Sequence, residues 1–138
     1  MLKKLCVFLL AVVLVFGVSF AYRKPLFSGK ENKVEVYLNS PSSLAQIKSV
    51  SVLEYYKLTN IVGESVQIDA KNFQLNEFLD KYSATVKFTE KTEQGASYYA
   101  YSPKIKYKKV VNETLVNLQI HISDKSVKVG SPIIFGSF

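Results

Sequence analysis

Val116-Asn117-Leu118-Gln119-Ile120-His121-Ile122 is the stretch that decides how this chain folds. Four aliphatic residues alternate with three polar ones, which is the period of a β-strand with its aliphatic face on a core. Asn117, Gln119 and His121 then share the opposite face, which the pattern leaves to water. Asp124-Lys125 makes a short turn into Val127-Lys128-Val129, and Gly130-Ser131-Pro132 bends the final strand. Ile133 to Phe138 is apolar enough to be tied into the sheet.

Toward the N-terminus, Ser97 to Ser102 reads as a strand dense in tyrosine that Pro103 ends. A Gly95 turn precedes it, and before that a strand from Ala84 to Thr89 with Ala84, Val86 and Phe88 inward. Leu75, Phe78, Leu79 and Tyr82 fall at i, i+3, i+4 and i+7, so the spacing predicts one amphipathic helix, with Asn72 as its N-cap. Glu64 to Asp69, just after Gly63, reads as a strand with Val66 and Ile68 inward. Ser49 to Lys57 reads as another, although Leu53, Tyr55 and Tyr56 blur its faces. Val34 to Leu38 is a strand with Val34, Val36 and Leu38 inward, stopped by the turn formers Asn39-Ser40-Pro41-Ser42-Ser43. The sum is an α+β fold: a single curved antiparallel sheet with one main helix packed on one face. It occupies 34–138, and 22–33, with Pro25 and Gly29, reads as a flexible tether.

Lys3 and Lys4 precede an apolar run from Leu5 to Gly17, and Ser19-Phe20-Ala21 follows. That is the pattern of a secretory leader over 1–21, with small residues placed for a cut between Ala21 and Tyr22. The rival is an uncleaved membrane anchor over 5–21, at the lower length limit for a hydrocarbon core of about 30 Å. Either way the domain is expected to be extracytoplasmic, secreted or membrane-anchored, which sets aside most cytoplasmic functions. Cys6 lies inside the apolar run and is the one cysteine, so a mature chain has no disulfide, thiolate chemistry or cysteine-based zinc site. Losing the leader removes two lysines and no acid, leaving 16 basic against 11 acidic residues, a net charge of about +5. Such an excess favours anionic partners without choosing among them, and equally serves solubility alone.

From about Gly63 onward the chain resembles the C-terminal half of the YwmB family of spore-forming Firmicutes. Val116-Asn117-Leu118-Gln119-Ile120 and Val127-Lys128-Val129-Gly130-Ser131-Pro132-Ile133 carry the resemblance, with Leu75-Asn76-Glu77-Phe78 a weaker match. The resemblance implies a secretion leader and a TATA-box-binding-protein-like fold, without an established function or a catalytic residue. That family is longer and has two such halves, so a paired saddle here requires a homodimer. The fold name does not bring DNA binding with it.

His121 is the one histidine, and Asn117 and Gln119 beside it are poor metal ligands, so neither a metal nor any cofactor is expected. No nucleophile elbow, phosphate loop or zinc-protease helix motif is present, and the carboxylates are scattered, so no enzyme activity is expected. The best binding signal is Lys104-Ile105-Lys106-Tyr107-Lys108-Lys109. If extended, it projects Lys104, Lys106 and Lys108 on one side, about 7 Å apart, to suit a polyanion of similar repeat. Tyr98, Tyr99 and Tyr101 lie just upstream and add stacking surface. The plainer alternative is an edge strand guarded by lysines. Candidate binding residues are therefore Lys104, Lys106, Lys108, Tyr99, Tyr101, Asn117, Gln119 and His121. Three functions follow: an interaction module of the bacterial cell envelope with an envelope protein as partner, a binder of anionic polymer or lipid surface, and, last in rank, an exported nucleic-acid binder.

Overall fold

The computed structural model describes residues 1–22, 24–27 and 33–136, the side chains of 19–22 excepted. Helix α1 spans Leu2–Tyr22, and its described apolar side chains, among them Val7, Phe8, Leu10, Val13 and Phe16, are exposed apart from the half-buried Val12. Its side chains are described to Val18, a stretch of about 26 Å at 1.5 Å per residue. Among the described residues, no helix is long and apolar enough to cross a membrane.

The domain is α+β, built on one open sheet. Strands β1 (Lys33–Leu38), β2 (Gln46–Ser51), β3 (Ile61–Asp69), β4 (Thr85–Thr92) and β5 (Gly95–Tyr101) come first. The ribbon strands β6 (Lys109–Val111) and β7 (Thr114–Val116) and the central strands β8 (Leu118–Ile122) and β9 (Ser126–Ser131) follow. Seven of them pair in the order β2-β1-β3-β9-β8-β5-β4, and every neighbour is antiparallel. The ribbon β6–β7 stands apart as a second, two-stranded sheet, closed by Asn112 and Glu113 at φ 48° and 60°. Positive φ at both central residues gives a turn whose twist matches that of its strands.

One face of the sheet carries the core. Val66, Ala100, Leu118, Ile120, Val127 and Val129 are buried there beneath Phe78, Leu79 and Tyr82 of the helical stripe. Val34, Val36, Leu38 and Val50 continue it toward β2, beneath Tyr55. Burying each such aliphatic side chain contributes about 1.5–3 kcal/mol, which is why alternation sets the register.

Several expectations change. The stretch from Ser49 is a strand only to Ser51, and helix α2 (Val52–Tyr55) then begins. Its cause is a capping box: Ser51 Oγ accepts the Glu54 N–H, and the Glu54 carboxylate accepts the Ser51 N–H at 2.9 Å. Asn72 is not the N-cap of the main helix. It ends a 3₁₀ turn, Ala70–Asn72, capped by Asp69, and α3 (Leu75–Lys81) starts from Gln74 with no side-chain cap. In β4 a bulge between Val86 and Phe88 sends Phe88 to the face opposite Val86, where it stacks on Tyr99 with ring centroids 4.4 Å apart. The strand around Val116 is interrupted at Asn117, so its two halves belong to different sheets.

The two ends differ most. Within the expected tether, Phe27 is 3 % exposed in the core, edge-on to Tyr82 at 5.8 Å. The final segment leaves the ladder after Ser131 and lies against the second face. There Gln119 Oε1 accepts the Ile134 N–H at 2.9 Å and the Tyr37 hydroxyl accepts the Phe135 N–H at 3.1 Å. Residues 137–138, part of the expected final strand, and 28–32 of the tether lie outside the described residues.

Candidate functional site

Lys104 to Lys108 lie in the connection between β5 and β6, outside any strand, so these lysines do not guard a sheet edge, whereas Lys109 opens β6 of the two-stranded ribbon. The alternation of the basic stretch nevertheless persists without a ladder: Lys104, Lys106 and Lys108 are exposed while Ile105 is 2 % exposed in the core. The cause is Asn117, fully buried at the break between β7 and β8. Its Oδ1 accepts the Ser102 N–H at 2.7 Å, and its Nδ2 donates to the carbonyls of Ser102 at 2.7 Å and Ile105 at 3.0 Å. Ser102 in turn donates its hydroxyl to the Tyr82 carbonyl and accepts the Lys104 N–H. Asn117 therefore serves as a backbone clamp, not as a ligand on an open face.

The ammonium groups rest on carbonyls and rings. Lys104 Nζ is 3.4 Å from the Lys81 carbonyl, Lys106 Nζ 4.9 Å from the Tyr107 ring centre, and Lys108 Nζ 5.8 Å from that of Tyr101. Tyr101, half-buried, thus adjoins the basic stretch, whereas Tyr99 is drawn away into its stack with Phe88. Tyr98 packs on the core.

The polar face expected to be wet is closed at its centre. Gln119 and His121 are each 3 % exposed, and Ser97 2 %. The cross-strand register places Ser97 opposite His121 and Tyr99 opposite Gln119. His121 Nδ1 and Ser97 Oγ are 2.9 Å apart, and Gln119 Nε2 donates to the Tyr99 hydroxyl at 3.2 Å. Tyr99 passes its proton donor on to Glu90 at 3.0 Å. Burial pulls the His121 imidazole below its ordinary pKa, and burial with the Glu90 contact pushes Tyr99 up to about 12. Ser97 and His121 are thus partners in one buried hydrogen bond. Among the described residues, no three histidine, cysteine or carboxylate side chains converge as metal ligands.

A third group lies under the connection and escaped the sequence reading. Glu64, 1 % exposed, points into the core from β3. Its Oε1 accepts the Tyr55 hydroxyl, and its Oε2 accepts the Leu26 N–H at 2.7 Å. The Tyr107 hydroxyl, shut from solvent, faces the same pair. Burial pushes the Glu64 carboxyl above the ordinary carboxylate range, opposed by these hydrogen bonds and by the charge of Lys106. Tyr107 is pushed up to about 12 by burial and by the Glu64 charge. Tyr55, Leu58, Thr59, Ile61, Lys106 and Tyr107 line a depression of about 90 Å³ above it. The signal was in the alternation: with Val66 and Ile68 inward, Glu64 two positions earlier falls inward too.

No family model, no curated protein and no solved structure matches this chain.

Proposed function

We propose that this chain is a non-enzymatic interaction module of the bacterial cell envelope, acting outside the cytoplasm. The observation that carries the reading is α1: an apolar helix opened by Lys3 and Lys4, with nearly all of its described side chains exposed, ahead of a domain with its own core. Among the described residues, an apolar helix with its side chains this exposed suits an export channel more than water. The resemblance to the YwmB family supports the same location and a link to sporulation. The test is a fusion of residues 1–24 to a reporter that folds only outside the cytoplasm, such as alkaline phosphatase. Activity matching a known secretory leader supports the reading, and an inactive, stable fusion ends it.

A second reading has its own support in the connection after β5. Its backbone is pinned by Asn117, and Lys104, Lys106 and Lys108 face outward from that fixed base. Such a display suits an anionic polymer or an anionic lipid surface. Replacing all three lysines by glutamate is expected to abolish sedimentation with phosphatidylglycerol vesicles at low salt. Unchanged sedimentation removes this reading and leaves the first in place. Nucleic acid ranks last, and a mobility-shift titration at physiological salt decides it.

A further inference from the structure

The exposure pattern of the basic stretch does not stop at Lys108. Lys104, Lys106, Lys108 and Val110 are exposed in turn, while Ile105, Tyr107, Lys109 and Val111 turn inward. One side of the connection thus runs unbroken into β6, where Val110 pairs with Leu115 of β7. The Cβ atoms of such a cross-strand pair lie about 5 Å apart. Val110 is 63 % exposed and Leu115 45 %. Outside residues 1–22, five large apolar side chains are exposed among the described residues, and these two form one patch. The inner face of the ribbon is filled by other groups. Lys109 Nζ donates to the Pro41 carbonyl at 3.0 Å and lies over the Phe135 ring, while Val116 is fully buried.

A single exposed aliphatic side chain is ordinary, whereas a pair on a fixed base beside three cations is a surface of mixed character. The base is held at both ends. Asn117 clamps the connection, and at the turn Asn112 Nδ2 donates to Glu90 Oε1 at 3.2 Å.

We propose that this face docks on an anionic lipid bilayer, with Lys104, Lys106 and Lys108 among the headgroups and Val110 and Leu115 in the acyl boundary beneath them. This assignment rests on the lysine reading and deepens it, since it selects lipid over polymer.

A linear polyanion engages the lysines alone and leaves the Val110–Leu115 pair in water. A bilayer engages both, because its negative headgroups overlie an apolar layer. Extended residues on one side repeat at about 7 Å, so Lys108 stands one step from Val110 on the same side. From Lys104 to Asn117 there are four lysines and one acid, Glu113, so the charge is complementary to such a surface. Glu90, beside the turn, is held by the Tyr99 hydroxyl and the Asn112 amide. Two aliphatic side chains are too little to hold the face on a neutral bilayer, so docking requires negative lipid.

The full chain, with Cys6→Ser and an environment-sensitive fluorophore on Val110→Cys, is reconstituted into phosphatidylcholine vesicles with and without phosphatidylglycerol. In the anionic vesicles its emission is expected to shift to the blue and to be quenched by nitroxide-labelled lipid. In neutral vesicles it is expected to stay at its aqueous position. A fluorophore on Gln94→Cys, in the turn at the other end of β5, is expected to stay aqueous in both. Leu115→Cys repeats the measurement should the Val110 variant fail to fold. Acetylation of Lys104, Lys106 and Lys108 by an amine-reactive ester, read by mass spectrometry on the unlabelled chain, reports the lysine contact separately. Lysines protected by anionic vesicles beneath an aqueous fluorophore at Val110→Cys overturn this inference and leave the lysine reading standing. Protection by polyphosphate but not by vesicles overturns it in favour of a polymer. An equal blue shift in neutral vesicles, or one at Gln94→Cys, also overturns it, and neither protection nor shift removes both readings.

Discussion

Asn117 grips Ser102 twice, accepting its N–H and donating to its carbonyl, both at 2.7 Å. A carboxamide is the one side chain of this size that offers an acceptor and two donors at once. It sits where one run of alternating residues is divided between two sheets, and it fixes the basic connection to that division. Asn117→Ala leaves the Ser102 N–H and two carbonyls buried without it. A loss of about 2–4 kcal/mol is expected, measured as a lower urea midpoint. A change below about 0.5 kcal/mol would mean that the connection holds its course unaided.

Phe27 belongs to the core although the sequence around it reads as a tether. Phe27→Ala is expected to cost about 3–5 kcal/mol. Leu44→Ser, at a side chain 86 % exposed, is expected to cost no more than about 0.5 kcal/mol. Thermal or urea unfolding of both variants checks the contrast, and equal effects would remove Phe27 from the core.

Gly95 closes the β4–β5 hairpin at φ 144°, and a Cβ there would stand 2.1 Å from the Ile122 carbonyl oxygen. Neither the backbone angle nor the neighbouring strand leaves room. Gly95→Ala is expected to lower stability by about 2–3 kcal/mol, with β5–β8 pairing loosened first in amide exchange. Wild-type exchange in β5 would contradict this.

His121 and Glu64 pull the pH dependence of stability in opposite directions. The folded pKa of His121 is lowered by burial, so its contribution is full above its unfolded value near 6.5 and lost as pH falls through the folded one. Glu64 is raised, so its contribution is full below its unfolded value near 4.5 and lost as pH rises through the folded one. From pH 7 down to 5, His121→Gln is expected to lose the acid-side decline in urea midpoint that the wild type shows. Parallel curves for the two proteins would place the decline elsewhere.

Periodicity located most of the ladder because burial on one face enforces it. Val34, Val36 and Leu38, and Val127 and Val129, lie inward as their spacing implies. What it could not show was what lies over the other face. Gln119 reads as solvent-facing by alternation and is instead buried, its Oε1 accepting the N–H of Ile134 from the final segment; His121 reads the same way and is buried beside Ser97. The bulge beside Lys87 was equally hidden, since one extra residue reverses the facing of Phe88 without altering the local pattern. Other features were legible. Ser51-Val52-Leu53-Glu54 carries the serine-to-glutamate spacing of a capping box, which marks the start of α2. Glu64 likewise stands at an inward position of a strand whose other inward residues were read as core. The outward display of Lys104, Lys106 and Lys108 follows the alternation, but its cause, the Asn117 clamp, is a tertiary contact.

Export is the central claim, and the intact mass of the protein in fractionated native cells tests it most directly. The account predicts a species in the envelope or medium, beginning at Tyr22 if the leader is cut or carrying the full 15.5 kDa if α1 is retained. A full-length chain confined to the cytosolic fraction would contradict it.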